Sequence, residues 1–218
     1  PKFQTIESSV HKKSVKLQQI NIQYIKEQLL HKNLIEVIIG SMINMLPNVL
    51  VLPLMPLDAF AIATLAETIW RHHYAEIISS EQIDYMLAQR YQPELINEQL
   101  LSSDIWWRKL VLNDVMIGFS CCMRTNEPGE LKIDKLYIHC DHHRKGYGAL
   151  LVADAIKIMR ENNLESLILT VNKFNQTAIS AYQYYGFEIT DDSVVDIGGG
   201  FVMNDYLMAL TKLSRWNT

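Results

Sequence analysis

The stretch that most constrains how this chain can fold is residues 131–151, LKIDKLYIHCDHHRKGYGALL. An apolar run of strand character (Leu131, Ile133, Leu136, Tyr137, Ile138) leads into His139-Cys140-Asp141-His142-His143-Arg144-Lys145-Gly146-Tyr147-Gly148. A helical pattern then runs to about Asn163. A strand, a short basic loop with two glycines and a helix start together make a place for an anion. Free backbone N–H groups and the positive end of the helix dipole converge there. Glycine lets the backbone approach a ligand closely, and Arg144 and Lys145 add charge.

The strand before that loop carries a defect. Its apolar residues sit first at odd positions (131, 133) and then at even ones (136, 138), with Asp134 and Lys135 between. A phase change of one residue is the mark of a β-bulge; a strand buried on both faces is the alternative. A bulge would splay this strand from its neighbour and open a slot in the sheet. After the loop and its helix, Leu164 to Val171 reads as a strand, so the connection predicts a parallel crossover. Asn175 opens a helix that Gly186 stops after Tyr185. Phe187 starts another strand, residues 198–200 form a glycine turn, and Phe201 to Leu210 is the last strand.

Upstream, Val49 to Leu52 reads as a buried strand and Asp58 as the N-cap of a helix with the face Ile62, Leu65, Ala66, Ile69, Trp70. Ser79 and Gln82 have the spacing of a capping box for a helix to about Gln89, and Pro93 opens a short third helix. Strands at Trp106–Leu112 and Val115–Arg124 are joined by the Asn113-Asp114 turn. The plan is α/β with a mixed sheet and no internal repeat.

A chain of 218 residues suits one domain with an extension. The boundaries predicted are 1–48 for an N-terminal helical extension and 49–218 for the domain. Apolar residues recur at helical spacing from Val10 to Leu46, a face that needs its own core, a second copy (a homodimer) or a membrane surface against it. Leu34 to Leu57 is long enough for a membrane span, but Pro47, Pro53 and Pro56 break it, so no span is expected. A net charge of −4 and a pI near 6.0 argue against nucleic acid as the main partner. Three cysteines, two of them adjacent, make no disulfide framework, and the first residues lack a secretory pattern. A reduced, cytoplasmic setting is the expectation.

His143-Arg144-Lys145-Gly146-Tyr147-Gly148 resembles the Gln/Arg-x-x-Gly-x-Gly/Ala loop of the GNAT acyl-CoA N-acyltransferases. Asn175-x-x-Ala178-x-x-x-Tyr182-x-x-x-Gly186-Phe187 resembles that family's second signature, and the likeness spans about residues 49–211. The chain departs from the pattern at His143, where Gln or Arg is usual, and at Cys140, where Pro is common. The resemblance implies the GNAT fold with acetyl-CoA as co-substrate. Its pyrophosphate would lie on the loop backbone (Arg144, Lys145, Gly146, Tyr147, Gly148, Ala149), with His143, Asn175 and Ala178 also in contact. Its pantetheine arm would pair with Leu136, Tyr137 and Ile138.

By the same resemblance Tyr182 is the general acid and Asp134 the general base, with Glu67, Asp205 and His73 as weaker candidates for base. Transfer would be direct, leaving Cys121, Cys122 and Cys140 as bystanders. The His139-to-His143 run is not expected to hold a metal, because adjacent residues on one loop converge poorly. The acceptor would be a primary amine of a small molecule or peptide. The ending Gly200-Phe201-Val202-Met203-Asn204-Asp205-Tyr206-x-Met208 is similar to that of a bacterial subgroup that includes polyamine acetyltransferases. Asp205 and Glu67 could attract such a cation, and Trp70, Tyr74, Trp106 and Trp107 could wall the site. A GNAT-like acetyl-CoA sensor or scaffold is the rival reading. A dinucleotide fold fails, because Leu151 holds the third glycine position.

Overall fold

The computed structural model describes residues 29, 30, 32, 35, 48–211 and 213–216. The chain divides into two units, Pro1–Pro47 and Asn48–Thr218. In the first, Leu29, Leu30, Lys32 and Ile35 are helical; the rest of the helical reading for 10–46 lies outside the described residues. No helix among the described residues is long and apolar enough to cross a membrane.

The second unit runs β1 (Val49–Pro53), α1 (Ala59–His73), α2 (Ser80–Arg90), α3 (Pro93–Leu100), β2 (Ile105–Leu112), β3 (Val115–Arg124), β4 (Glu130–Ile138), α4 (Tyr147–Glu161), β5 (Ser166–Asn172), α5 (Gln176–Tyr185), β6 (Phe187–Gly198) and β7 (Phe201–Leu210). Seven strands form one sheet in the order β1-β2-β3-β4-β5-β7-β6. Only β4 and β5 are parallel, joined through α4 as the spacing predicts. All other neighbours are antiparallel.

The sheet is covered on both faces. Leu131, Ile133, Leu167, Leu169, Val171 and Met208 pack against Val152, Ala155, Ile156 and Met159 of α4 and Ile179 of α5. On the other face Trp107, Phe119 and Cys121 pack against Ile62, Ala66, Ile69 and Trp70 of α1, with Ile83, Met86 and Ile96 from α2 and α3. These are the period-2 and period-3.6 stripes of the sequence brought together.

Local signals explain most boundaries. Asn113 (φ 47°) and Asp114 (φ 66°) are both left-handed, the backbone of a type I′ hairpin turn. Asn175 caps α5, its side-chain oxygen accepting from the Ala178 N–H at 3.1 Å, and Gly186 (φ 101°) ends that helix. Two cap readings change. Asp58 does not cap α1 through its side chain; its carboxylate accepts from the Met55 N–H (2.8 Å) and from the Lys109 ammonium (2.7 Å). Ser79 accepts from the Gln82 N–H, but the Gln82 amide donates to the Val202 carbonyl at 3.2 Å instead of closing the box. With the Tyr85 hydroxyl donating to the Ile197 carbonyl at 2.7 Å, it ties α2 to the β6–β7 hairpin.

The bulge is present. Cys121 pairs with Lys135 but Cys122 pairs with Ile133, so Asp134 is the extra residue of β4. Below it β4 pairs with β5 from Glu130↔Ser166 to Ile133↔Leu169; above it, among the described residues, 135–138 pair with β3 only. β5 meanwhile continues to Asn172 beside β7. The two parallel strands therefore part, and a slot opens between residues 136–138 and 170–172.

Gly118 on β3 backs this slot: a Cβ there would lie 2.6 Å from the Tyr137 carbonyl oxygen. Gly118→Ala should therefore push the Tyr137 peptide away from β3. A thermal melt should record a loss of about 1–3 kcal/mol, the usual cost of overpacking. An unchanged melting temperature would mean the strands tolerate the added methyl.

Candidate active site

At the end of β4 the chain turns sharply. The His139 N–H donates to the Ile117 carbonyl (2.8 Å), and the His142 and His143 N–H groups turn back to the His139 and Cys140 carbonyls. Arg144 (φ 60°) and Gly146 (φ 80°) are left-handed and swing the backbone into α4. Nothing lies within 4 Å of a Cβ placed on Gly146, so glycine is needed there for its backbone alone. At Gly148 space decides instead, since a Cβ would lie 2.6 Å from the Tyr185 hydroxyl. The first amides of α4 lack carbonyls one turn earlier in the helix; the Ala149 N–H turns back to the Gly146 carbonyl (3.1 Å), and a helix start of this kind suits an anion.

The basic side chains of the loop divide their work. The Lys145 ammonium donates to the Asp141 carbonyl at 2.9 Å, bracing the loop, while Arg144 is exposed. The His143 Nε2–H donates to the Ile138 carbonyl at 2.8 Å. That bond fixes the last turn of the slot; it is a reason for a histidine where the family pattern has Gln or Arg. Leu136 and Ile138 send their side chains toward Leu110, Ile117 and Leu151. Tyr137 points the other way, its ring 5.9 Å from Trp70 and 5.5 Å from Phe119.

Tyr74 and Tyr137 lie on that second face, and Tyr182 approaches them from the α5 side. The Tyr74 and Tyr137 hydroxyls are 3.4 Å apart, and Tyr182 interacts electrostatically with both. Burial pushes all three phenols above their ordinary value, so each keeps its proton through the neutral range. Tyr182 packs edge-on against Phe187 at 5.8 Å, and Ala178 lies beside it in the α5 cluster. Asn175 is buried. Beyond capping α5 its side chain reaches His73 and Tyr74 at the end of α1, so it is more a brace than a free ligand contact.

Asp134 does not suit the role of base. Its carboxylate accepts from Arg90 at 2.6 Å and pairs with the buried Lys135, whose ammonium also lies over the rings of Trp107 (5.1 Å) and Tyr91 (5.7 Å). Burial alone would raise its proton affinity, but the two cations outweigh it and hold the carboxyl well below the usual range. A base must take up a proton near neutral pH, and the two paired cations oppose that here. It anchors the bulge.

Three lesser expectations also change. Glu67 is exposed and accepts from Arg71 at 2.9 Å on the outer side of α1. Trp70 and Trp107 are core residues, donating to the Tyr91 hydroxyl (3.2 Å) and the Gln99 side chain (3.0 Å). Trp106 lies on the opposite face, whereas Trp70 packs against the rings of Tyr74 (4.5 Å) and Tyr137 (5.9 Å). Burial pushes the Cys121 thiol up to about 12, far from a neutral-pH nucleophile. His139 Nδ1, Cys140 Sγ and an Asp141 carboxylate oxygen lie within 4.8 Å of one another, but the Asp141 N–H already donates to His139 Nδ1.

With this geometry in view, comparison with known proteins is informative. The profile of the acetyltransferase (GNAT) family matches residues 66–187, more than half of the 218. The chain belongs to this family. As a GNAT protein it is an acetyl-CoA-dependent N-acetyltransferase. It is 28% identical over 150 residues to the spermidine N(1)-acetyltransferase of Thermoplasma acidophilum, covering 67% of this chain and 89% of that one. The crystal structure of the PaiA N-acetyltransferase of Thermoplasma acidophilum in complex with coenzyme A superposes with a TM-score of 0.66. It is 23% identical and covers 74% of this chain and 98% of that one. A spermidine N-acetyltransferase chimaera that includes Vibrio cholerae sequence gives 0.60 at 18% identity, covering 78% and 99%.

Replacing Asp134 with Asn should destabilise the fold by about 3–5 kcal/mol, because it leaves the Lys135 charge buried without a partner. The carboxyl titrates lower in the folded chain than unfolded, so its stabilisation is complete above the ordinary value of about 4 and is lost as pH falls below it. Urea midpoints should therefore fall on acidification more steeply in the wild type than in Asp134→Asn. Parallel curves would remove Asp134 from the acid response.

Proposed function

We propose that this GNAT protein acetylates a primary amine of the polyamine type, with Tyr182 as the general acid. The observation that carries the reading is the parting of β4 from β5 beside residues 136–138, with the glycine loop following β4 and Tyr182 near enough to Tyr137 of that strand to act on its phenol. In this reading the loop amides take the acetyl-CoA pyrophosphate, with Arg144 adding charge. The pantetheine amides pair with the free side of Leu136 and with the Ile138 N–H, as a third strand would, the Ile138 carbonyl being taken by His143.

Tyr182 then faces the thioester sulfur. The acceptor nitrogen forms a bond to the acetyl carbon, the C–S bond breaks, and the phenol hands its proton to the departing thiolate. A phenol raised by burial is not ionised beforehand and is regenerated from the proton that the new amide nitrogen sheds. A polyamine is favoured as acceptor by the spermidine-acetylating relative and by a buried carboxylate, Asp205, near enough to Tyr74 to act on its phenol.

The test is a panel of amines (spermidine, spermine, amino acids and short peptides) with acetyl-CoA, read by release of free thiol. Polyamines should give the highest kcat/KM, and a flat panel would sink the acceptor class. Tyr182→Phe should lower kcat by about 10²–10⁴-fold, the range for loss of a general acid, with the Kd for acetyl-CoA unchanged. A variant as fast as the wild type would free Tyr182 of the role.

A further inference from the structure

With Asp134 committed to Arg90 and Lys135, the reaction lacks a group to deprotonate the acceptor, which arrives as an ammonium ion. One carboxylate is placed differently. Asp205 lies in the middle of β7, opposite Asn172 of β5 and Ser193 of β6. The pleat sends Met203 and Asp205 of β7 to the same face as Lys132 of β4 and Thr170 and Asn172 of β5. That face carries Tyr74, Tyr137 and the packed helices α1 and α2. It is the face away from α4 and α5, so an acceptor entering there meets the slot from the side opposite their apolar layer.

Asp205 is 7% exposed, and among the described residues its Oδ1 has no hydrogen-bond partner. A buried carboxylate oxygen left open in this way is costly, and folded chains keep such groups where a ligand or a bound water uses them. The charged and titratable groups around it come from four elements: Tyr74 from α1, Arg90 from α2, Lys132 from β4, and Lys173 from the turn after β5. Arg90 is already paired with Asp134, and Lys173 with Asp192. β6 contributes the uncharged Ser193. Burial outweighs these cations and raises the Asp205 carboxyl above its ordinary value, the reverse of what happens at Asp134.

We propose that Asp205 is the catalytic base: its open oxygen accepts the N–H of the acceptor ammonium and takes that proton, directly or through one water. The inference rests on the amine-acetylating reading above. The ammonium loses one proton to Asp205 and becomes a neutral amine. The amine attacks the thioester carbon, and the thiolate leaves with the proton from Tyr182. The adduct nitrogen returns a proton to the Tyr182 phenolate, and Asp205 releases its own to solvent. The sum is one amide, one free thiol and one proton.

The experiment uses the full chain, acetyl-CoA and spermidine, together with whichever amine of the panel turns over fastest. Wild-type kcat/KM should fall with decreasing pH along a limb lying above the ordinary carboxylate value of about 4. Asp205→Asn should lower kcat by about 10²-fold or more and abolish that limb, with acetyl-CoA Kd unchanged. Asp205→Glu should restore part of the rate and the limb. A residue that only filled space would lose neither the limb nor its rescue by Glu. A carboxyl raised by burial does not stabilise the fold when ionised, so Asp205→Asn should melt no lower than wild type at pH 7.

Turnover within threefold of wild type in Asp205→Asn, or a limb that survives it, overturns the proposal. A rise in KM alone, with kcat and the limb intact, also overturns it and makes Asp205 an anchor for the amine. A wild-type profile without an acid limb overturns it even if the variant fails to fold. Absence of turnover with every amine would instead bring down the functional reading, and this proposal with it.

Discussion

Most of this structure follows from one extra residue in β4 and the charges that hold it. A bulge turns two successive side chains, Asp134 and Lys135, to the same face, and that would bury an acid and a base under α1–α3. Each is tolerable only because of the other and of Arg90. The ion pairs fix the bulge, the bulge parts β4 from β5, and the parting exposes a strip of backbone in the middle of a seven-stranded sheet. The glycine loop then falls at the mouth of that strip because α4 must start where β4 ends.

The sequence made the order of elements legible because each boundary had a local cause: left-handed turns at Asn113-Asp114, the Asn175 cap, the Gly186 stop and Pro93. The bulge was legible as a phase change in the apolar pattern. The two ring systems at Trp70 and Trp107 were read as site walls and are core, because facing depends on which helix packs over a strand. Asp58 and Gln82 were read as local caps, and tertiary partners claim part of them.

The contrast between the paired Asp134 and the partly open Asp205 has the same origin. Both are aspartates in strands, and the Lys135 beside Asp134 does not by itself tell that the two side chains share a face and pair. What separates them is 44 positions away in one case, where Arg90 arrives on α2, and in the other the lack of any such arrival at one oxygen among the described residues. Partners brought by tertiary packing decide which carboxylate holds its proton loosely. His143 makes a similar point: its bond to the Ile138 carbonyl is with a residue five positions back, yet it exists only because the loop doubles over.

The strip at residues 136–138 also bears on what can add to it. An unpaired strand at the rim of a sheet invites another chain to add to it, and proteins guard such rims with charge or short length. Here the unpaired backbone is flanked on one side by β3 and on the other by β5, which diverges from it. A second polypeptide would have to thread between two strands already held in one sheet, whereas a slender, flexible chain of amides can slide in from the end. An opening of this shape is thus closed to strand addition while its end stays open.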